Sequence, residues 1–324
     1  MRKMKGGDGM IGFDIGGTKC AVSVGEERDG ELYILDKRVI PTDHAVSPEV
    51  MIARMCAAAE EMTTDFSRIG ISCGGPLDAL RGVILSPPNL PGWDEVEIVR
   101  ILTERYGGYV RLQNDANACA LAEWRYGAGK GCRSMIFLTF GSGLGAGLIL
   151  DGRLYEGANG MAGEVGHIRL SDFGPVGYGK RGSFEGFCSG NGIASLGRML
   201  AEEALQVGKR VSYCEGAEAL SAITAKRIAE CAKAGHADAA RVYEICGEKL
   251  GAGLSVLIDI LNPERIVIGS VYQRSAELLI PSMTRVLERE ALGHSLSVCR
   301  IVPAELKENI GDYAALSCAV MEKE

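Results

Sequence analysis

No 18 apolar residues run together anywhere in this 324-residue chain, no apolar h-region precedes Met10, and no surplus of basic charge is present, with 35 Lys and Arg against 42 Asp and Glu. The first two absences leave no candidate for a membrane-spanning helix or a secretory leader. The third removes the basic stripe that a phosphate backbone demands, so nucleic acid is not an expected partner. The eleven cysteines (20, 56, 73, 119, 132, 188, 214, 231, 246, 299 and 318) contain no C-x-x-C pair, and their odd number argues against a disulfide framework. They read as reduced thiols, most of them small core hydrophobes, in a soluble cytoplasmic protein. Residues 1–9 read as a frayed lead-in. The full Walker pattern G-x-x-x-x-G-K-[ST] is also missing.

What remains is ordinary in bulk and unusual in one residue. Hydrophobic residues at 47% and charged residues at 24% suit a globular protein with a core, and the length is about twice that of one domain. The 44 glycines are nearly double the usual share of about 7% and follow no Gly-X-Y period. They need a local purpose.

Apolar, β-prone residues from Met10 break at Gly16-Gly17 and resume through Val24, and a second run, 32–40, follows the Asp29-Gly30 turn. Ser47-Pro48-Glu49 opens a helix with Ile52, Met55, Cys56, Ala59 and Met62 on one face. A strand over 68–73 follows. Asp94 and Glu97 have capping-box spacing, predicting a helix over 95–106 stopped by Gly107. A strand over 109–112 then leads into Asn114-Asp115 and an alanine-rich helix. The same grammar returns: a strand over 134–140, glycines over 141–147, a resumed strand over 148–150 and a turn at Asp151-Gly152. Helices are predicted at 190–205, 221–234 and 237–261, strands at 265–269 and 298–302, and a last helix from Asp312 to Met321. Two halves of one pattern predict an α/β protein with two similar lobes and a cleft between them. The boundary is expected at 119/120, with a hinge near 116–122 and residues 306–324 packing back on the first lobe.

Four segments carry candidate chemistry. In Asp14-Ile15-Gly16-Gly17-Thr18-Lys19, glycines let backbone N–H groups approach phosphate oxygens, Thr18 adds a hydroxyl and Lys19 a charge, and Asp14 stands where a phosphate-bound Mg²⁺ needs an oxygen ligand. Alone, such a segment is equally an ordinary hairpin turn. Gly141-Ser142-Gly143-Leu144-Gly145-Ala146-Gly147 contains G-x-G, but a strand follows it, so a second phosphate cradle suits it better than a Rossmann turn; a glycine-rich bulge is the alternative. Asn114-Asp115 places a carboxylate at a strand-to-helix junction, able either to take a proton from an attacking hydroxyl or simply to cap the helix. Glu164 and His167, in the loop Gly157 to His167, offer the mixed donors and acceptors that a polyol needs, although a lone histidine is more often structural.

Together these residues resemble the ROK family of repressors, open reading frames and sugar kinases, over nearly the whole chain from Ile11 to about Met321. The resemblance implies the two-lobed actin-like ATPase fold (hexokinase-type, ribonuclease H-like). It implies an ATP- and Mg²⁺-dependent kinase phosphorylating the 6-hydroxyl of a hexose, glucose first, with an N-acetylhexosamine kinase or a non-catalytic sugar sensor as alternatives. It assigns phosphate binding to Asp14, Gly16, Gly17, Thr18, Lys19, Gly141, Ser142, Gly143 and Gly145, and adenosine binding to a segment from Leu250 to Ser270 that includes Gly269. The aspartate matching Asp115 is the family's general base and touches the sugar. Residues matching Asn114, Glu164, His167 and Glu185 bind sugar hydroxyls, and Gly75 and Asn89 line the same pocket. A homodimer or tetramer is also implied.

Three departures stand out. Many members bind zinc through a histidine matching His167 and three cysteines, but Val176, Tyr178 and Ser183 occupy the cysteine positions and Cys188 alone cannot rebuild the site. No zinc is expected. Ser142 replaces a threonine, and Gly269-Ser270 replaces Gly-Gly. Only 13 residues precede Asp14, too few for the winged helix-turn-helix of the repressor members, so none is expected.

Overall fold

The computed structural model describes residues 9–320. Of the lead-in expected over 1–9, residues 1–8 lie outside the described residues, as does the expected helix end at Met321, whereas Gly9 is already a strand residue paired with Glu26.

Strands β1 (Gly9–Ile15), β2 (Lys19–Arg28) and β3 (Glu31–Pro41) form an antiparallel meander, with Asp29 and Gly30 both at positive φ in the tight turn. Helix α1 (Pro48–Met62) starts on a proline, whose fixed φ suits a first turn, and buries Met51, Ile52, Met55, Cys56 and Ala59. Then come β4 (Arg68–Cys73), the short ladder β5 (Leu77–Asp78) with β6 (Val83–Ile84), α2 (Ile98–Tyr106), β7 (Tyr109–Asn114) and α3 (Asp115–Tyr126). The capping box expected at Asp94 does not form. Asp94 instead accepts a hydrogen bond from the Ser86 hydroxyl, Glu95 has a φ of 49°, and the helix begins three residues late. Beyond α3 lie β8 (Met135–Leu138), β9 (Ala146–Leu150), β10 (Arg153–Leu154), β11 (Val176–Gly177), β12 (Lys180–Arg181), α4 (Phe184–Phe187), α5 (Gly190–Gln206), α6 (Ala225–Lys233) and α7 (Ala237–Leu261). The chain closes with β13 (Arg265–Ile268), α8 (Val271–Glu290), α9 (Gly293–Val298), β14 (Arg300–Pro303) and α10 (Ile310–Val320).

Helix α8 is absent from the sequence expectations. It contains Pro281, and Ser275 (φ −139°, ψ 23°) breaks its regularity, so no clean helical period is visible there. The helix predicted over 221–234 begins only at Ala225, behind the Thr224 cap, because 217–222 forms a 3-10 turn.

The first sheet has order β3-β2-β1-β4-β7, with β1, β4 and β7 parallel. The second has order β10-β9-β8-β13-β14, with β13 parallel to β8 and β14. The repeat read from the glycine-interrupted hairpins is therefore a repeat of strand order. By contacts the chain divides into two compact units: one runs through Gly131 and takes in Gly147–Ala162 and the chain from Glu305, and the other is Cys132–Ala146 with Gly163–Ala304. The division falls after α3, which is continuous across residue 119.

In the first unit Ile11, Phe13, Ile69, Ile71 and Leu112 pack against Met51, Ile52, Met55 and Leu102. Helix α10 packs on β1 and β4 so closely that a Cβ at Gly12 would stand 2.9 Å from Ala315 Cβ and Leu316 N. That approach, and not flexibility, accounts for glycine inside β1. Glu123, fully buried on α3, accepts hydrogen bonds from the backbone N–H groups of Ala128 (2.8 Å), Glu305 (3.2 Å) and Leu306 (2.9 Å). These groups flank the points where the chain leaves and re-enters this unit. Glu123→Ala strands all three donors and is expected to cost about 3–5 kcal/mol in chemical unfolding.

Candidate active site

Within the first unit, register places Ile15 beside Cys73 and Cys73 beside Asn114. Three parallel strands thus end together, and the segments leaving them, Gly16-Gly17, Gly74-Gly75 and Asp115, share one edge. In open α/β sheets ligands gather at this carboxyl edge. A Cβ at Gly17 would run into Asn89, one at Gly75 would stand 3.2 Å from Asn114 Nδ2, and one at Gly74 3.9 Å from Asp115 Oδ2. Asp14, Gly16, Gly17, Gly75, Asn89, Asn114 and Asp115, scattered over a hundred residues, therefore converge. The Thr42 hydroxyl fixes the turn by donating to Gly16 O (2.6 Å), while Thr18 and Lys19 are exposed.

Asn114 is the N-cap of α3, accepting from Ala116 N at 2.9 Å. Asp115 is the first residue of the helix and is exposed, with Oδ1 also 2.8 Å from Ala116 N. Capping is thus provided by Asn114 even without Asp115. Behind them the buried Gln113 accepts from Asn114 N and Asn117 Nδ2 (both 3.2 Å) and donates to Glu156 at 2.5 Å, a set of partners that sequence reasoning missed.

Asp14 is pushed up to about 6, first by burial, then by the Asp115 and Asp312 carboxylates, against the opposing pull of Lys37 and Lys19. Asp312 is itself 1% exposed and accepts from Ser23 Oγ (2.6 Å) and Lys37 Nζ (2.5 Å). Gly311 keeps this arrangement open, since a Cβ there would stand 2.6 Å from Asp14 Oδ2. Two mutually repelling carboxylates, Asp14 and Asp115, fit a divalent cation carried in on a nucleotide, which would relieve their repulsion.

The second unit assembles the remaining candidates. The loop Gly141 to Gly145 closes on itself through Gly145 N to Thr139 Oγ1 (2.9 Å) and Gly141 N to Gly143 O (3.1 Å), with Ser142 exposed at its tip. Glu185 accepts from Leu144 N at 3.0 Å, and a Cβ at Gly143 would stand 2.8 Å from the same oxygen. Glu164 is raised above the usual carboxylate range by desolvation and then by Glu185, with His167 acting in the opposite sense. Glu164, His167 and Glu185 therefore stand near one another and beside the glycine loop. Gly269, just past β13, lies beside the strand that leads into the glycine loop, donating to Leu138 O at 3.0 Å.

Next to Gly269, α6, α7 and the start of α8 form a half-open cavity of about 540 Å³, lined by Ala225, Lys226, Ala229, Glu230, Lys233, Tyr243, Val271, Arg274 and Ser275. That volume is typical of a small-molecule site. Of these residues only Tyr243 lies on an element, α7, that overlaps the segment linked to adenosine by sequence reasoning. For Val271, Arg274 and Ser275 the available signal was positional, a helix starting just past Gly269 at the end of a parallel strand; the α6 residues carried none.

Protein contacts hold the loop over 174–192. The β11–β12 hairpin carries Val176 and Tyr178 outward, the buried Ser183 hydroxyl accepts from Gly186 N (3.1 Å) and donates to Gly177 O (3.4 Å), and Lys180 Nζ donates to His167 O (2.7 Å). Valine and an outward tyrosine supply no zinc ligands, and among the described residues no three His, Cys, Asp or Glu side chains stand together as a metal site. The donor set does not fit zinc.

Residues 10–320 match the ROK family. The chain belongs to the ROK family. It is 30% identical over 313 residues to a glucokinase of Streptomyces coelicolor, covering 95% of this chain and 96% of that one. A ROK family glucokinase of Streptomyces griseus, solved in complex with glucose and AMPPNP, superposes with a TM-score of 0.75 at 29% identity, covering 96% and 99%. The xylose repressor of Caldicellulosiruptor bescii is 31% identical over 254 residues, 78% of this chain and 61% of the repressor. The fold is accordingly the actin-like ATPase fold of the ROK hexokinases.

Proposed function

We propose that this ROK protein is an ATP-dependent sugar kinase that transfers the γ-phosphate to the 6-hydroxyl of a hexose, glucose first. The observation that carries the proposal is Asp115: an exposed carboxylate at a helix start already capped by Asn114, at the strand edge that also presents Gly16-Gly17 and Asp14. A sugar-binding module has no need of that carboxylate as a proton acceptor.

In this scheme Asn114, Glu164, His167 and Glu185 bind sugar hydroxyls, and Gly75 and Asn89 line their pocket. Asp115 takes the proton from the 6-hydroxyl as its oxygen attacks phosphorus. Gly16, Gly17, Thr18 and Lys19, and Gly141, Ser142, Gly143 and Gly145, supply donors to the phosphates. Asp14 faces the Mg²⁺ of Mg²⁺–ATP, and the cavity beside Gly269 takes the nucleoside. Glucokinase relatives and a relative holding glucose and AMPPNP support this reading. Eleven free thiols, and the absence among the described residues of any helix long and apolar enough to cross a membrane, accord with our placing it in the cytoplasm.

A coupled ADP-release assay over glucose, other hexoses and N-acetylhexosamines tests the proposal. Glucose-stimulated release is expected. Release with N-acetylhexosamines alone would transfer the activity to that substrate class, and no sugar-stimulated release at all would overturn the kinase reading in favour of a sensor.

A further inference from the structure

Ser270 holds a φ of 53° and a ψ of −105°, a backbone conformation that favours glycine. A serine kept in such a position calls for a use of its side chain. Its hydroxyl accepts a hydrogen bond from Arg274 Nη2 at 3.0 Å, one helical turn on. Arg274 is fixed from its other end too, because Lys233 Nζ donates to the Arg274 carbonyl (2.7 Å) while pairing with Glu277 (2.8 Å). The next residue, Ser275, leaves helical geometry and bonds to Tyr243, whose own hydroxyl donates to Ala225 O at 3.1 Å. Arg274, exposed and held through its side chain by Ser270, therefore stands at the wall of the 540 Å³ cavity, whose other lining includes Ala225, Ala229, Val271 and Tyr243.

A guanidinium is flat, weakly hydrated and suited to lie against an electron-rich ring, which an ammonium matches poorly. The base of a purine nucleotide is such a ring. We propose that Arg274 is the residue that holds the nucleotide base in this cavity by lying against its ring, and that Ser270 is its positioning residue, retained despite its backbone geometry. The proposal rests on the cavity being the nucleoside site.

Calorimetric titration of the intact protein with AMPPNP tests it without requiring turnover. Arg274→Ala is expected to weaken AMPPNP binding about tenfold, with Arg274→Lys restoring little of the loss and glucose affinity unmoved. Ser270→Gly removes the unfavourable φ, so its unfolding midpoint is expected at or above the parent's, yet AMPPNP binding weakens severalfold because Arg274 loses its anchor. Ser270→Ala weakens binding equally without the gain in midpoint. Unchanged AMPPNP affinity in Arg274→Ala, or in both Ser270 variants, overturns the proposal. Ala229→Trp, which fills the cavity, separates the two levels. If it abolishes AMPPNP binding while Arg274→Ala does not weaken it, the cavity holds the nucleotide and Arg274 does not hold its base. If it leaves binding intact, the nucleoside reading of the cavity fails and the proposal with it.

Discussion

Asp115→Asn is expected to lower kcat by about 10²–10⁴-fold while sugar affinity stays within a few-fold of the parent. The substitution is close to isosteric. The new side-chain amide would keep an oxygen for Ala116 N–H, now 2.8 Å from Asp115 Oδ1, and Asn114 would still cap α3, so the helix start survives. What disappears is the proton acceptor. A hydroxyl attacking phosphorus must shed its proton as the new bond forms, and an amide cannot receive it at neutral pH. Asp115→Ala should lose as much turnover with some loss of sugar affinity. Steady-state kinetics with a parallel calorimetric glucose titration separate catalysis from binding, and near-parental turnover in either variant would remove Asp115 from the mechanism.

Asp14→Asn should move stability and activity in opposite directions. Folding raises this carboxyl from an ordinary 3.8 to about 6, so the folded state disfavours its charged form. Below about pH 3 the group is protonated in both folded and unfolded chains and exacts no penalty. Between about pH 3 and 6 the unfolded chain ionises first, and above pH 6 the full penalty is present, at most about 3 kcal/mol. Removing the charge should therefore stabilise the protein by up to that amount at pH 7 and by less than about 1 kcal/mol at pH 4. Turnover should nevertheless fall on the order of 10²-fold, because the carboxylate proposed to face the cation and phosphates is gone. Chemical unfolding at the two pH values checks the first half, and kinetics at saturating glucose the second. A variant destabilised at pH 7 would show that Asp14 is structural support and not a strained functional group.

Local signals carried a long way here because glycine announces its purpose. The pairs and runs at 16–17 and 141–147 interrupt apolar, β-prone segments, and a chain that must turn tightly at a strand end has few other residues to use. The same logic made Asp29-Gly30 and Pro48 readable. It failed at Asp94, where capping-box spacing was present but a Ser86 hydroxyl 8 residues earlier took the carboxylate. It failed again over 271–290, where Pro281 and the break at Ser275 hide a helix that packing against α7 nonetheless stabilises.

The order of the motifs, the doubled hairpin pattern and the loss of the three zinc cysteines were settled by the residues alone, since each is a local property of the chain. Convergence was not. That Asn89 abuts Gly17, that Glu185 accepts from Leu144, that Glu123 gathers Ala128, Glu305 and Leu306, and that Ser183 and Lys180 hold the 174–192 loop all depend on contacts between segments distant in sequence. So do several of the glycines: Gly12 is there because α10 comes too close for a side chain, and Gly311, on α10, because Asp14 does. Long-range packing decides such positions, and no local pattern encodes the neighbour that a missing Cβ makes room for.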